Sequence, residues 1–132
     1  MIAIDTNVFV RILIDDPEER GQNQAARNLA RAAGKVYVPQ IVQVECVWVL
    51  GTAYNIAKSD LLHILEQVMA DNVFVLQQAD RFAAAVEKFR SQNVDFSDCL
   101  ILAESQAQTM MLYTFDKRLS KLTGAKNVAA GI

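Results

Sequence analysis

Short apolar runs of β-branched character alternate along this chain with longer stretches of helical period. "MIAI" predicts a first strand, and "NVFVRILI" a short helix with Asn7 at its N-cap. Pro17 and the two acids behind it open a helix that runs to a stop at Gly34. "KVYVP" reads as a second strand. "QIVQVECVWVLGTAYN" is a helix so nearly apolar all round that it is expected at the centre of the fold. "SDLLHILEQVMADN" is amphipathic and starts from Ser59 as a cap, "VFVL" is a third strand, and "ADRFAAAVEKFRSQN" is a helix. "SDCLILAESQAQT" follows as a helix with Ser97 at its N-cap. "MMLYTF" is a fourth strand, "DKRLSKL" a short helix and "KNVAA" a weak fifth strand.

Strands too apolar to have a wet face, alternating with helices, argue for a parallel sheet covered on both sides. The expected architecture is α/β, a three-layer α/β/α sandwich with a central parallel sheet of four to five strands. Neither a repeat nor a linker interrupts the pattern, so residues 1–132 are expected to form a single domain. At 52% hydrophobic and 21% charged, the composition is globular and excludes a disordered chain. Apolar runs are too short for a membrane span, and no basic region precedes the first apolar residues. A cytoplasmic protein without a membrane partner is the expectation.

Composition also removes several chemistries. Cys46 and Cys99 form no CxxC pair, which argues against a zinc knuckle or a disulfide framework. His63 is the sole histidine and falls on the polar side of its helix, so histidine-based triads and zinc sites lose their main component. Acids remain. Asp5 ends the first strand, Glu45 lies in the first two turns of the helix after the second, Asp98 opens a helix, and Asp116 follows the fourth strand. Ligands of open parallel sheets bind beyond the carboxyl ends of the strands. Glu45 sits in an apolar helix, where it needs either an arginine such as Arg11 or Arg27, or a cation. Each of the other three alone could merely cap a helix. Together, four carboxylates at one sheet edge would repel one another, and a hard divalent cation, Mg²⁺ or Mn²⁺, is the simplest counterweight to all-oxygen ligands.

"IDTNVFV", "VPQIVQVE", "DFSDCLILAES" and "LYTFDKRL" fall in an order and spacing that resemble the PIN-domain ribonucleases. The match spans residues 2 to about 122 and is most similar to the VapC-type toxins of type II toxin–antitoxin systems. The resemblance implies a metal-dependent endoribonuclease whose acidic quartet is Asp5, Glu45, Asp98 and Asp116. It also implies supporting roles for Thr6, Asn7 and Thr114, and makes Asp95 a second-rank candidate. Asp5 and Asp98 are then the principal metal ligands, with Glu45 and Asp116 holding a second ion or orienting water in the outer shell. Hydrolysis by metal-activated water would leave a 5′-phosphate and a 3′-hydroxyl. A cognate small antitoxin and a homodimer or higher oligomer are the partners such a toxin would have, beside its RNA substrate.

The net charge of −2 does not by itself suggest nucleic acid, but setting aside the quartet leaves 13 basic against 11 acidic side chains. Arg11, Lys117, Arg118 and Lys121 could draw in a phosphate backbone, although "DKRLSKL" reads equally as an ordinary solvated helix. Tyr54, Tyr113, Phe96 and Trp48 are expected in the core. Two rival readings exist. A receiver-like Mg²⁺-binding signalling domain would need an aspartate ending the third strand, where "VFVLQQ" has none. A non-catalytic PIN-like interaction module would keep the fold without turnover.

Overall fold

Parallel ladders of strands carry the fold in this computed structural model, which describes residues 1–132. The chain divides into two compact units, Met1–Ala79 and Asp80–Ile132. In the first, β1 (Ile2–Ala3), β2 (Val36–Val38) and β3 (Phe74–Leu76) form a sheet in that order, all parallel. Ile2 lies opposite Val36, and Val36 in turn opposite Phe74. Helices α1 (Thr6–Leu13) and α2 (Arg20–Ala33) carry the chain from β1 to β2, while α3 (Gln40–Thr52) and α4 (Lys58–Ala70) carry it from β2 to β3. Parallel neighbours demand such crossovers, because no tight turn can return the chain to the same end of the sheet.

Val36 and Val38 of the middle strand are fully buried, as are Leu50 of α3 and Val68 of α4. Each such side chain contributes about 1.5–3 kcal/mol on leaving water. Phe9 of α1 meets Phe74 of β3 edge to face, with centroids 5.4 Å apart. α2 begins at Arg20 rather than at Pro17, because Asp16 holds residues 17–19 in a turn. Its carboxylate accepts from the Glu18 N–H and its carbonyl from the Glu19 N–H, both at 3.0 Å. Asn7 does not cap α1 as expected. Asp5, one strand-end earlier in the chain, does so. Nor do Ser59 and Ser97 cap their helices, which start at Lys58 and Phe96.

One expectation for α3 fails. Val42, Gln43, Cys46, Val47 and Leu50 face inward, but Ile41 is 65% and Trp48 67% exposed. Seven residues apart, these two share a stripe on the outer face. A helix apolar all round has not been enclosed all round, and Trp48 is not a core residue.

The second unit holds most of α5 (Ala79–Ser91), with α6 (Phe96–Ala107), β4 (Leu112–Thr114) and β5 (Ala125–Asn127). Phe82, Phe89 and Phe96 pack edge to face, with Phe96 5.7 Å from each of the other two. Arg81 grips both oxygens of Glu104, at 2.7 and 2.8 Å, and ties α5 to α6. β4 pairs in parallel with β5, Leu112 opposite Ala125, over a cluster of Leu102, Leu119 and Ala125. "DKRLSKL" forms only a 3₁₀ turn at Leu119–Lys121. Gly124 enters β5 at φ +91°, and a Cβ there would lie 2.5 Å from the Gln106 amide nitrogen. The α/β class and parallel pairing agree with the sequence reading, and the weak fifth strand exists. Hydrogen bonding groups the strands as three and two, where one sheet of four to five was expected. No helix is long and apolar enough to cross a membrane.

Candidate active site

Asp5 leaves β1 in an extended conformation, and its Oδ1 accepts the Val8 N–H at 3.0 Å. Capping occupies one carboxylate oxygen, so the residue serves the helix and remains exposed to solvent. The next residue makes the longer connection. Thr6 Oγ1 donates to Glu45 Oε1 at 2.9 Å, joining the start of α1 to the second turn of α3. Glu45 is exposed, contrary to its apolar sequence surroundings. Neither arginine considered for it takes that role. Arg27 pairs with Asp15 at 2.6 Å, and Arg11 turns elsewhere.

Gln43, two residues before Glu45 and only 1% exposed, sets the position of α3. Its Nε2 donates to the Val38 carbonyl at 3.2 Å and to the Gln77 carbonyl at 2.9 Å, bridging the ends of β2 and β3. Gln77 returns the favour through its side-chain oxygen, which accepts the Gln40 N–H at 2.8 Å. Leaving a buried amide bare costs free energy; the Gln43 Nε2 finds two partners, while its Oε1 stays without one. Here the partners register the first turn of α3 against the sheet, and with it the direction in which Glu45 emerges. Nothing in the nearly apolar sequence of this helix singled out Gln43 for that role.

Arg11 is not available to a substrate. Its Nε donates to Gln22 at 2.9 Å and its NH1 to the Tyr54 hydroxyl at 2.6 Å, and that hydroxyl donates to Asp16 at 2.9 Å. With its side chain only 12% exposed, it braces α1 against α2. The Glu18 N–H and then the Tyr54 hydroxyl hold the Asp16 carboxyl below its ordinary range; burial opposes them, and the Arg11 charge adds a smaller effect in the same direction as theirs. Asn7 is exposed on α1 and makes no side-chain hydrogen bond.

The second unit presents its own acids. Asp98 stands in the first turn of α6, half-buried. Burial pushes its carboxyl above the usual carboxylate value, and the charges of Asp95 and then Asp116 push it further. Asp95, the second-rank candidate, occupies the N-cap position of α6 but caps nothing with its side chain. Asp116 resembles Asp5 in its local chemistry. Its Oδ1 accepts the Leu119 N–H at 2.7 Å, and its own N–H donates to Thr114 Oγ1 at 3.0 Å. Lys117, Arg118 and Lys121 around it are exposed and form no ion pair. Between Thr114 and Asp116 stands Phe115, 81% exposed, which sequence reading passed over as the last apolar residue of a strand.

Nowhere do three or more His, Cys, Asp or Glu side chains already stand together as a metal cage. The donor chemistry nevertheless suits a hard cation. Every candidate ligand is a carboxylate or hydroxyl oxygen, and the Asp95 and Asp116 charges both act against ionised Asp98, with no basic side chain paired to any of the three. Both thiols are buried, and burial pushes the Cys46 thiol up to about 12, which leaves it inert. His63 lies on an exposed helix face beside Gln67, as its spacing suggested.

A protein-family model described as PIN domain matches residues 2–125. The chain is also similar to a VapC ribonuclease of Aquifex aeolicus (strain VF5), with 25% identity over 130 residues that cover 97% of this chain and 96% of the relative.

Proposed function

The chain belongs to the PIN domain family, whose fold is a three-layer α/β/α sandwich, and from that membership we propose that it is a metal-dependent endoribonuclease, the toxin of a toxin–antitoxin pair. The whole-length similarity to a VapC ribonuclease supports the choice of RNA as substrate. What supports the metal is the donor set: the candidate ligands are all carboxylates, and none of them is paired with a basic side chain. In this reading residues 1–132 act as one domain.

Asp5 and Asp98 are the principal ligands for Mg²⁺ or Mn²⁺. Glu45 and Asp116 bind a second ion or hold water in the outer shell. A divalent cation bound by these oxygens supplies a Lewis acid for the phosphoryl group and lowers the pKa of water. What the chain's own groups do is orient and balance. Thr6 holds the Glu45 carboxylate in one direction, leaving Oε2 for a ligand or a water. Thr114 anchors the backbone of Asp116, while Asp116 keeps Oδ2 free of the cap it forms with Oδ1. Lys117, Arg118 and Lys121 attract the RNA phosphates, a role the engaged Arg11 does not share. A small antitoxin and a homodimer or larger assembly are the protein partners of this reading, and the cytoplasm its compartment.

The test is direct. The purified protein is incubated with single-stranded and structured RNA in Mg²⁺, in Mn²⁺ and in EDTA, beside Asp5→Asn and Asp98→Asn. Cleavage by the wild type that EDTA and both substitutions abolish is the expected result. RNA cut equally well by the folded variants, or left intact by the wild type under all conditions, would overturn the reading in favour of an interaction module.

A further inference from the structure

We propose that Phe115 is a stacking platform for an unpaired base of the RNA, with Lys117 and Arg118 holding the adjoining phosphates. The inference rests on the nuclease reading above and narrows its substrate to a strand whose bases are free to splay out.

Phe115 is the most exposed large apolar side chain apart from the C-terminal Ile132. Leaving a phenyl ring in water forgoes the burial that stabilises every other phenylalanine of this unit. The ring does not stand on a loose loop. On one side, Thr114 ends the β4–β5 ladder and its Oγ1 accepts the Asp116 N–H. On the other, the Asp116 carboxylate accepts the Leu119 N–H and its carbonyl the Ser120 N–H, with Leu119 itself buried. Hydrogen bonds therefore secure the backbone on both flanks, and a ligand that meets the ring need not order the segment first.

The neighbouring charges select the ligand. Lys117, Arg118 and Lys121 are exposed and unpaired, whereas Arg81 of the same unit is paired with Glu104 and Arg90 with Glu87. An apolar protein surface laid over Phe115 would have to desolvate those cations without compensation. Single-stranded RNA offers a π-face to the ring and phosphates to the cations. Duplex bases are stacked on their neighbours and have no free face. Phe115 also immediately precedes Asp116 in the chain.

The test uses binding, so that it does not depend on turnover. A labelled single-stranded RNA of about twelve nucleotides, and a series in which successive nucleotides are made abasic, are titrated in EDTA with wild type, Phe115→Trp and Phe115→Leu. Leucine keeps an exposed apolar side chain, and folding is checked by circular dichroism. The expected result is one position at which base removal weakens the wild type and Phe115→Trp roughly tenfold but leaves Phe115→Leu unchanged. Equal losses in all three proteins at every position overturn the proposal, as does the absence of RNA binding by the wild type. A protein partner over Phe115 would also give equal losses. Cleavage of the same RNA in Mg²⁺, run in parallel, separates the two claims: an uncut RNA with Phe115-dependent binding defeats the nuclease reading alone, and a cut RNA with equal losses defeats this one alone.

Discussion

The Thr6 hydroxyl donates to the carboxylate of Glu45 at 2.9 Å, across 39 residues of chain. One hydroxyl thus fixes the direction of an exposed acid that no arginine holds. Thr6→Val keeps the shape and loses the donor, and RNA cleavage falls roughly tenfold, the scale of one hydrogen bond to a charged group. Thr6→Ser retains activity. Both variants unfold within about 1 kcal/mol of wild type, since the bond is exposed. Cleavage by Thr6→Val at the wild-type rate would remove Thr6 from the site.

Asp98 ties stability to pH and to metal. Its folded pKa is raised, by burial first and then by Asp95 and Asp116. A raised carboxyl contributes stability below the unfolded pKa and loses it as pH rises through the folded value. At neutral pH its ionised form therefore opposes folding, so Asp98→Asn raises Tm at pH 7 in EDTA, and the gain shrinks as pH falls through the folded pKa and is gone below the unfolded one. Mg²⁺ or Mn²⁺ raises the Tm of the wild type and has little effect on the variant. Thermal scans with and without metal decide it; an equal metal shift in both proteins sinks the assignment of Asp98 as a ligand.

Gln43 is a structural lock. Gln43→Leu preserves volume but takes the side-chain donor from the Gln77 carbonyl, while the Val38 carbonyl keeps the Gln77 N–H at 3.0 Å. Denaturant unfolding is expected to show a loss of about 1–2 kcal/mol, the cost of one bare acceptor partly offset by removing the unpartnered Gln43 Oε1. Because α3 carries Glu45, cleavage falls in the folded variant as well. Unchanged stability would show that water replaces the amide.

Arg11 predicts the reverse pattern. Arg11→Met breaks its bonds to Gln22 and Tyr54 and lowers stability by about 1–3 kcal/mol. Affinity for RNA, measured well below the melting temperature, stays at the wild-type value. A selective loss of RNA binding would restore Arg11 to the substrate path.

Thiol chemistry provides a further check. Cys46 and Cys99 are both buried, and the Cys46 thiol is pushed up to about 12 from 9.0 by burial. The folded protein at pH 8 is expected to leave both unmodified by a thiol reagent, and the denatured chain to expose both. The raised thiol stabilises the fold until pH exceeds the unfolded value, and stability then declines between about 9 and 12. Rapid labelling of Cys46 in the native state would contradict its burial.

Local pattern determined much of this protein. The alternation of apolar strands and helices, the parallel pairing that such alternation demands, and the positions of Asp5 and Asp116 at strand ends all follow from residues close together in the chain. Even the capping chemistry of those two acids is local, since each bonds an N–H three residues on. Tertiary structure alone decided how the polar groups are used. Glu45 looked buried because its helix is apolar, yet composition says nothing of which side of a helix meets the sheet, and Glu45 and Trp48 lie on the open side. Arg11 looked like a phosphate contact until folding brought Tyr54 to it, 43 residues away. Asp95 gained importance only through its charge acting on Asp98, and Phe115 only through being left in water. Hydrogen bonds and charges act through space over a few ångströms, and sequence spacing cannot reveal which distant residues will be brought within that range.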